Sequence, residues 1–204
     1  MRLFLIRHGQ SLENLNGPLP PDADPPLTEL GRRQAQRVAD RFAGMKLDVL
    51  YCGPLRRNLQ TAIPLARATG LDPCLLPSLH EVGSTVDATN FAYAVEQFPR
   101  IRILSEAAYD RLAPNETRVE AFERAGALAA WLCGAHAAAE QAVAVVTHGM
   151  FSDLLLSRFL GMAFADYTRF STGNCAVHIV DVTPDRLKVL KLNDESHLPE
   201  SDRT

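Results

Sequence analysis

The chain is sparing with cysteine: four in 204 residues, at Cys52, Cys74, Cys133 and Cys175. No two stand at CxxC spacing, which argues against zinc-ribbon and thioredoxin-like sites. No charge of one sign dominates. Lys and Arg number 21 against 24 Asp and Glu, a formal charge of −3 with no basic stripe, so a nucleic-acid partner is not expected. No apolar run approaches the ~20 residues needed to cross a bilayer, so no membrane partner is expected either. The leading apolar stretch, Leu3 to Ile6, is too short for the core of a signal peptide. There is no internal repeat and no metal-ligand spacing. These absences predict a cytoplasmic protein with reduced thiols. What is abundant is hydrophobic residues, 47% of the chain, enough for an ordinary core without disulfide or metal support.

Two short stretches carry the chemistry. Leu3-Phe4-Leu5-Ile6 reads as a buried strand and runs directly into Arg7-His8-Gly9. Far along the chain, Val143-Ala144-Val145-Val146-Thr147 runs into His148-Gly149 in the same way. Open α/β sheets hold their ligands beyond the carboxyl ends of strands, where both imidazoles would stand. One such tripeptide could be accidental; two in the same context are not easily dismissed.

Strand-like and helix-like segments alternate, which predicts an α/β fold. A Pro-rich loop from Asn14 to Pro26 precedes a helix capped by Thr28, with Leu30, Ala35, Val38, Ala39 and Phe42 inward. Residues 48–52 read as a second strand. Pro54 suits the first position of the next helix, Gly70 its end, and Pro64 should kink or split it. Residues 79–115 are expected as loops and short helices over the site. Thr117 to Ala139 is a long helix, and Ser152 to Leu160 another, ending at Gly161. Segments 176–182 and 186–192 predict a hairpin turned at Pro184-Asp185. The expected architecture is a three-layer αβα sandwich with a mostly parallel central sheet and a late β-hairpin. One domain is expected over 1–192, with 82–115 a substrate-covering insert, followed by a polar, frayed tail over 193–204.

A guanidinium beside an imidazole suits phosphoryl transfer, which needs charge stabilisation and alignment above all. Arginine matches two phosphate oxygens at once and stays charged. A neutral imidazole can attack phosphorus, giving a phosphohistidine that water then hydrolyses. Four stretches carry a resemblance at this point: Leu5 to Asn14 (LIRHGQSLEN), Pro26 to Ala35 (PLTELGRRQA), Pro54 to Ala62 (PLRRNLQTA) and Val146 to Gly149 (VTHG). In order and spacing the chain resembles the histidine phosphatase, or phosphoglycerate-mutase-like, superfamily.

The resemblance implies His8 as nucleophile, with Arg7, Arg57, Asn14, His148 and the backbone N–H of Gly149 on the phosphate. Arg57 is taken over Arg56 because the family places its arginine three residues before Gln-Thr-Ala. It implies Glu81, in Leu79-His80-Glu81, as proton donor to the leaving alkoxide, and no metal or cofactor. Two departures stand out: Val82-Gly83-Ser84-Thr85 replaces an aromatic and Trp-Glu-Gly-like segment, and Asn115-Glu116-Thr117 replaces Gly-Glu-Ser. Among the other histidines, His80 is expected in an exposed loop, His136 on a helix surface, His178 in a strand and His197 in the tail.

The activity implied is metal-independent hydrolysis of a small-molecule phosphomonoester. A phosphoglycerate-type mutase is the alternative enzyme, disfavoured by the modest middle segment. A non-catalytic phospholigand-binding module is the third reading. Selectivity is expected from 82–115, including Phe91, Tyr93, Arg100, Arg102, Tyr109 and Arg111. The sequence names neither the substrate nor the oligomeric state.

Overall fold

The computed structural model describes residues 1–17, 19–20, 22–104, 116–183 and 185–204. Its elements follow the order β1 (Arg2–Arg7), α1 (Leu12–Asn16), α2 (Glu29–Phe42), β2 (Val49–Cys52), α3 (Arg56–Thr69), β3 (Cys74–Leu75), α4 (Ala88–Gln97), β4 (Arg102–Ile103), α5 (Arg118–His136), β5 (Ala142–Thr147), α6 (Gly149–Phe159), β6 (Val177–Val182) and β7 (Leu187–Asp194). Tyr109 and Arg111 lie outside the described residues.

The seven strands form one sheet in the order β4-β3-β2-β5-β1-β6-β7. The first five are mutually parallel, while β6 and β7 run antiparallel as the expected hairpin. Strand pleating puts alternate side chains on opposite faces. Leu3, Leu5, Val143 and Val145 therefore meet α5 and α6 on one side. Phe4, Ile6, Ala144 and Val146 meet α2 and α3 on the other. This is the expected three-layer sandwich.

The decisive register is between the two central strands. β1 and β5 lie side by side and parallel, with Arg7 opposite Thr147. Both chains therefore leave the sheet at the same level, and His8 and His148 emerge together although 140 positions apart in the chain.

Several boundaries differ from expectation. α6 begins at Gly149 with His148 as its N-cap, not at Ser152. Pro54 lies before the N-cap Leu55 rather than inside α3. That helix also runs unbroken through Pro64. Proline removes one helical hydrogen bond, but Leu59, Ala62, Leu65 and Ala66 all pack into the core and hold both halves. Its uncapped first turn is satisfied from a distance, because the Asp24 carboxylate accepts from Arg56 N at 2.8 and 3.0 Å.

The segment expected to cover the site partly extends the core instead. α4 opens on a capping box, Asp87 with Asn90, and sends Phe91 and Tyr93 against the α2/α3 side. The last residues dock rather than fray. Leu198 is buried, and Gln34 Nε2 donates to Asp202 O at 2.6 Å and to Thr204 Oγ1 at 3.0 Å. The hairpin turn closes through Thr183 N donating to Arg186 O at 2.8 Å, while Pro184 lies outside the described residues.

Candidate active site

Beyond the carboxyl ends of β1 and β5, Arg7, His8, Glu13, Asn14, Gly17, Arg57 and Glu81 line a pocket of about 270 Å³. The His8 and His148 rings meet edge to face, 5.0 Å between centroids. Of the residues expected at the site, Arg7, His8, Asn14, Arg57 and Glu81 line the pocket, while His148 packs against His8 and Gly149 against Arg7 just behind it.

The hydrogen bonds fix both tautomers. His8 Nδ1 lies 2.7 Å from Gly9 O, which can only accept. The proton is therefore on Nδ1, and the lone pair is on Nε2. Arg57 Nε donates to His148 Nδ1 at 3.3 Å, so a neutral His148 carries its proton on Nε2. Burial first, and then the neighbouring Arg57 and Arg7, hold His8 well below the ordinary histidine range. Burial and Arg57 do the same for His148, with smaller pushes from His8, His80 and Arg7. Both rings are therefore neutral at pH 7, with a free lone pair on His8 Nε2 and a proton on His148 Nε2.

Of the six buried side-chain nitrogens without a hydrogen-bond partner among the described residues, three belong to this site: Arg7 Nε, Arg57 Nη1 and His148 Nε2. Unsatisfied buried donors are costly, and three on adjoining side chains are an arrangement that an anion would satisfy. Arg7 is anchored through Nη1 to Thr172 O at 2.6 Å. Gly149 makes room for it: a Cβ there would stand 3.2 Å from Arg7 Nε and 3.4 Å from its Cζ. Gly149 thus acts at least through its missing side chain, by letting the guanidinium lie close to the start of α6. The choice between the adjacent arginines is also resolved in space. Arg57 faces the pocket, whereas the Arg56 guanidinium lies 4.8 Å over the Tyr93 ring.

Glu81 sits against the first turn of α6. Its Oε1 accepts from Val82 N and Phe151 N, both at 3.0 Å, and Oε2 from Met150 N at 3.3 Å. These N–H groups and the helix dipole favour the carboxylate, as do Arg57 and Arg7, but burial outweighs them and raises its pKa above the usual glutamate value. A carboxyl that keeps its proton longer is suited to giving one.

Several residues that serve the site escaped the sequence reading. Asn174 Nδ2 donates to His8 O at 3.1 Å and to Asn14 Oδ1 at 3.2 Å, tying the His8 backbone to α1. Thr61 Oγ1 accepts from Gly9 N at 3.0 Å and donates to Arg57 O at 2.7 Å, joining two motifs. Glu13 Oε2 stands 3.4 Å from Arg57 Nη2. Arg124, only 1% exposed, donates through Nη1 to Ser78 O and to His80 O, flanking the loop that carries Glu81. Its Nε donates to Glu116 Oε1 at 2.7 Å, and its guanidinium lies 4.1 Å over the Phe151 ring. Glu116 is the residue that Asn115-Glu116-Thr117 shares with the family's Gly-Glu-Ser, and nothing in the sequence linked it to Arg124.

Two histidines correct their expected exposure. His80 is buried, with Nδ1 donating to Glu81 O at 2.9 Å. His136 is buried at the end of α5, 2.9 Å from the Tyr51 hydroxyl and 2.6 Å from Gln141 Oε1. Arg100, a candidate for substrate selection, pairs instead with Asp72 at 3.2 Å on the surface. Among the described residues no cluster of three His, Cys, Asp or Glu has metal-holding geometry, and no helix is long and apolar enough to cross a membrane.

Two facing imidazoles and two arginines gathered at one pocket define a class. The model of the histidine phosphatase superfamily (branch 1) matches residues 3–195. The chain belongs to this superfamily. Among curated relatives, phosphoserine phosphatase 1 of Hydrogenobacter thermophilus is 26% identical over 203 residues, covering 98% of this chain and 95% of its own. A probable phosphoglycerate mutase of Yersinia enterocolitica is 30% identical over 184 residues, covering 89% and 85%. Solved structures share the fold. A putative α-ribazole-5′-phosphate phosphatase from Escherichia coli superposes with a TM-score of 0.73 at 24% identity, covering 95% of this chain and 97% of that one. A phosphoserine phosphatase from Entamoeba histolytica, crystallised as a mutant with phosphoserine, gives 0.72 at 22% identity, covering 97% and 99%.

Proposed function

We propose that this protein is a metal-independent phosphomonoester hydrolase working through a phosphohistidine on His8. The observation that carries the reading is that Arg7 Nε, Arg57 Nη1 and His148 Nε2, all buried and unpaired, belong to side chains gathered around a neutral His8.

In the first step His8 Nε2 attacks phosphorus, forming the N–P bond as the bond to the leaving oxygen breaks. The two guanidiniums and the His148 N–H hold the equatorial oxygens, where charge gathers. Glu81 gives its proton to the departing alkoxide. In the second step water attacks the phosphorus of phosphohistidine and passes its proton to the Glu81 carboxylate. Phosphate leaves, and His8 regains its lone pair. Cationic side chains supply the charge neutralisation that a metal would otherwise provide. The nucleophile needs no deprotonation, because Gly9 O holds its proton on the far nitrogen.

The test is rapid quenching during turnover of a ³²P-labelled monoester in excess chelator. The expected result is acid-labile, base-stable label on the wild type, none on His8→Ala, and a rate loss of at least ~10³-fold in that variant. Label surviving in His8→Ala, or activity lost to chelator and restored by Mg²⁺, would defeat the proposal. Assay with 3-phosphoglycerate and its bisphosphate separates hydrolysis from mutase action by product.

A further inference from the structure

The pocket wall carries a second carboxylate that the hydrolytic steps leave unused. Glu13 lies in the first turn of α1, and its side chain is 36% exposed at the pocket. Its partner Arg57 is 3% exposed, and the two stand 3.4 Å apart, longer than the 2.7–2.9 Å of a strong charge-assisted hydrogen bond. Glu81, the other acid in the pocket, is held by three backbone N–H groups. Glu13 has no such cradle, so it is the acid able to turn toward a ligand.

A fixed negative charge on the wall of a dianion pocket opposes phosphate binding unless the rest of the substrate compensates. Arg57 still has Nη1 unpaired beside it, so the arginine can hold phosphate while Glu13 faces the ester's other end. We propose that Glu13 is a specificity residue that receives a cationic leaving group, making aminoalkyl phosphates of the phosphoethanolamine and phosphocholine type the preferred substrate class. Leaving groups with an extra anion, such as the glycerate of 3-phosphoglycerate, meet repulsion at the same place. This rests on the hydrolase reading above but makes a separate demand, because hydrolysis through His8 does not require any preference for charge.

The experiment measures kcat/KM for phosphoethanolamine, glycerol 1-phosphate and 3-phosphoglycerate, each divided by that for p-nitrophenyl phosphate, in wild type, Glu13→Gln and Glu13→Lys. Normalisation removes any general change in Arg57. The expected wild-type order is phosphoethanolamine, then glycerol phosphate, then 3-phosphoglycerate. Glu13→Gln should cut the first ratio about tenfold, the effect of ~1.4 kcal/mol, and leave the second in place. Glu13→Lys should reverse the order. Unchanged ratios in both variants would overturn the assignment while p-nitrophenyl phosphate turnover upholds the hydrolase reading. If no ester turns over, the hydrolase reading falls alone. The same three esters titrated calorimetrically into wild type and Glu13→Lys then read the charge preference as affinities, and equal affinities in both proteins overturn it.

Discussion

Arg124→Met tests the support beneath Glu81, the proposed proton donor. The guanidinium is almost fully buried and makes four polar contacts, two to the Glu116 carboxylate and two to the carbonyls of Ser78 and His80. Methionine fills much of the space over Phe151 but satisfies none of those acceptors. Removing one member of a buried ion pair costs about 3–5 kcal/mol, because the other charge is left without its partner. The two carbonyls would each add ~1–3 kcal/mol if water could not reach them. Partial hydration makes these terms overlap, so about 4 kcal/mol is expected, a large share of the ~5–15 kcal/mol that holds a domain folded. In urea at pH 7 the midpoint should fall by about 1.5 M with an unchanged slope. Adding Glu116→Gln should recover at least ~1 kcal/mol by removing the stranded charge. Kinetically, the loop holding Glu81 loses its clamp, so alkyl esters should slow at least tenfold more than p-nitrophenyl phosphate, whose leaving group needs little protonation. A loss below ~1 kcal/mol, or equal slowing of both esters, would refute the reasoning.

Gly31→Ala should destabilise the protein by at least ~2 kcal/mol in urea and displace the His8 loop, lowering kcat. A Cβ at that position would lie 2.0 Å from the Gln10 carbonyl oxygen, a backbone clash with nothing flexible to yield; wild-type stability would contradict it. Acid should destabilise the fold between pH 6.5 and 4. Burial lowers His80 to about 3 and His178 to about 4, so the unfolded chain binds more protons than the native one across that window, and stability falls as pH falls. Thermal melting should show a midpoint dropping steadily over that range, and a flat or rising midpoint would count against it. Inorganic phosphate near 100 times its Kd should add ~2.7 kcal/mol and raise the midpoint by roughly 5–10 °C. His148→Ala should lose most of that gain, and an equal gain in that variant would remove His148 from the anion site.

How much of this was legible follows from the range of the interactions involved. The central strands were readable because β1 and β5 are near-continuous apolar runs, and His8 and His148 because each ends such a run. The N-cap at Thr28 was also readable: its Oγ1 accepts from Gly31 N at 3.0 Å, a contact three residues long. What was missed depends on contacts between distant segments. Asp24 caps α3 across 32 positions, Asn174 reaches His8 across 166, and Gln34 fastens the tail across 168. The tail looked frayed because its composition is polar, yet its polar groups are what dock it. His136 looked exposed because its helix is alanine-rich all round, and only the arrival of Tyr51 from β2 shows which side is buried. Pro64 obeyed its local rule only as far as the missing hydrogen bond, and packing on both sides of it kept the helix whole.

The site also explains why its supports are so numerous. Three buried donors without acceptors, each costing on the order of 1–3 kcal/mol, would in an unsupported loop be relieved by a small rotation toward water or a carbonyl. Each is prevented from doing so by a bond on another of its own atoms, or by its neighbour. Arg7 is fixed through Nη1 to Thr172 O, Arg57 through Nε to His148, and His148 through Nδ1 by the same contact. The backbone carrying them is pinned in turn by Thr61, Asn174 and the close approach of Gly9 to Gly31. An anion held as proposed would give all three donors their acceptors. Under the proposed hydrolysis they would favour most the most highly charged arrangement of phosphate oxygens, which occurs during transfer rather than before it. Under that proposal the hydrogen bonds that orient Arg7, Arg57 and His148 would contribute to catalysis as directly as the donors they leave unpaired.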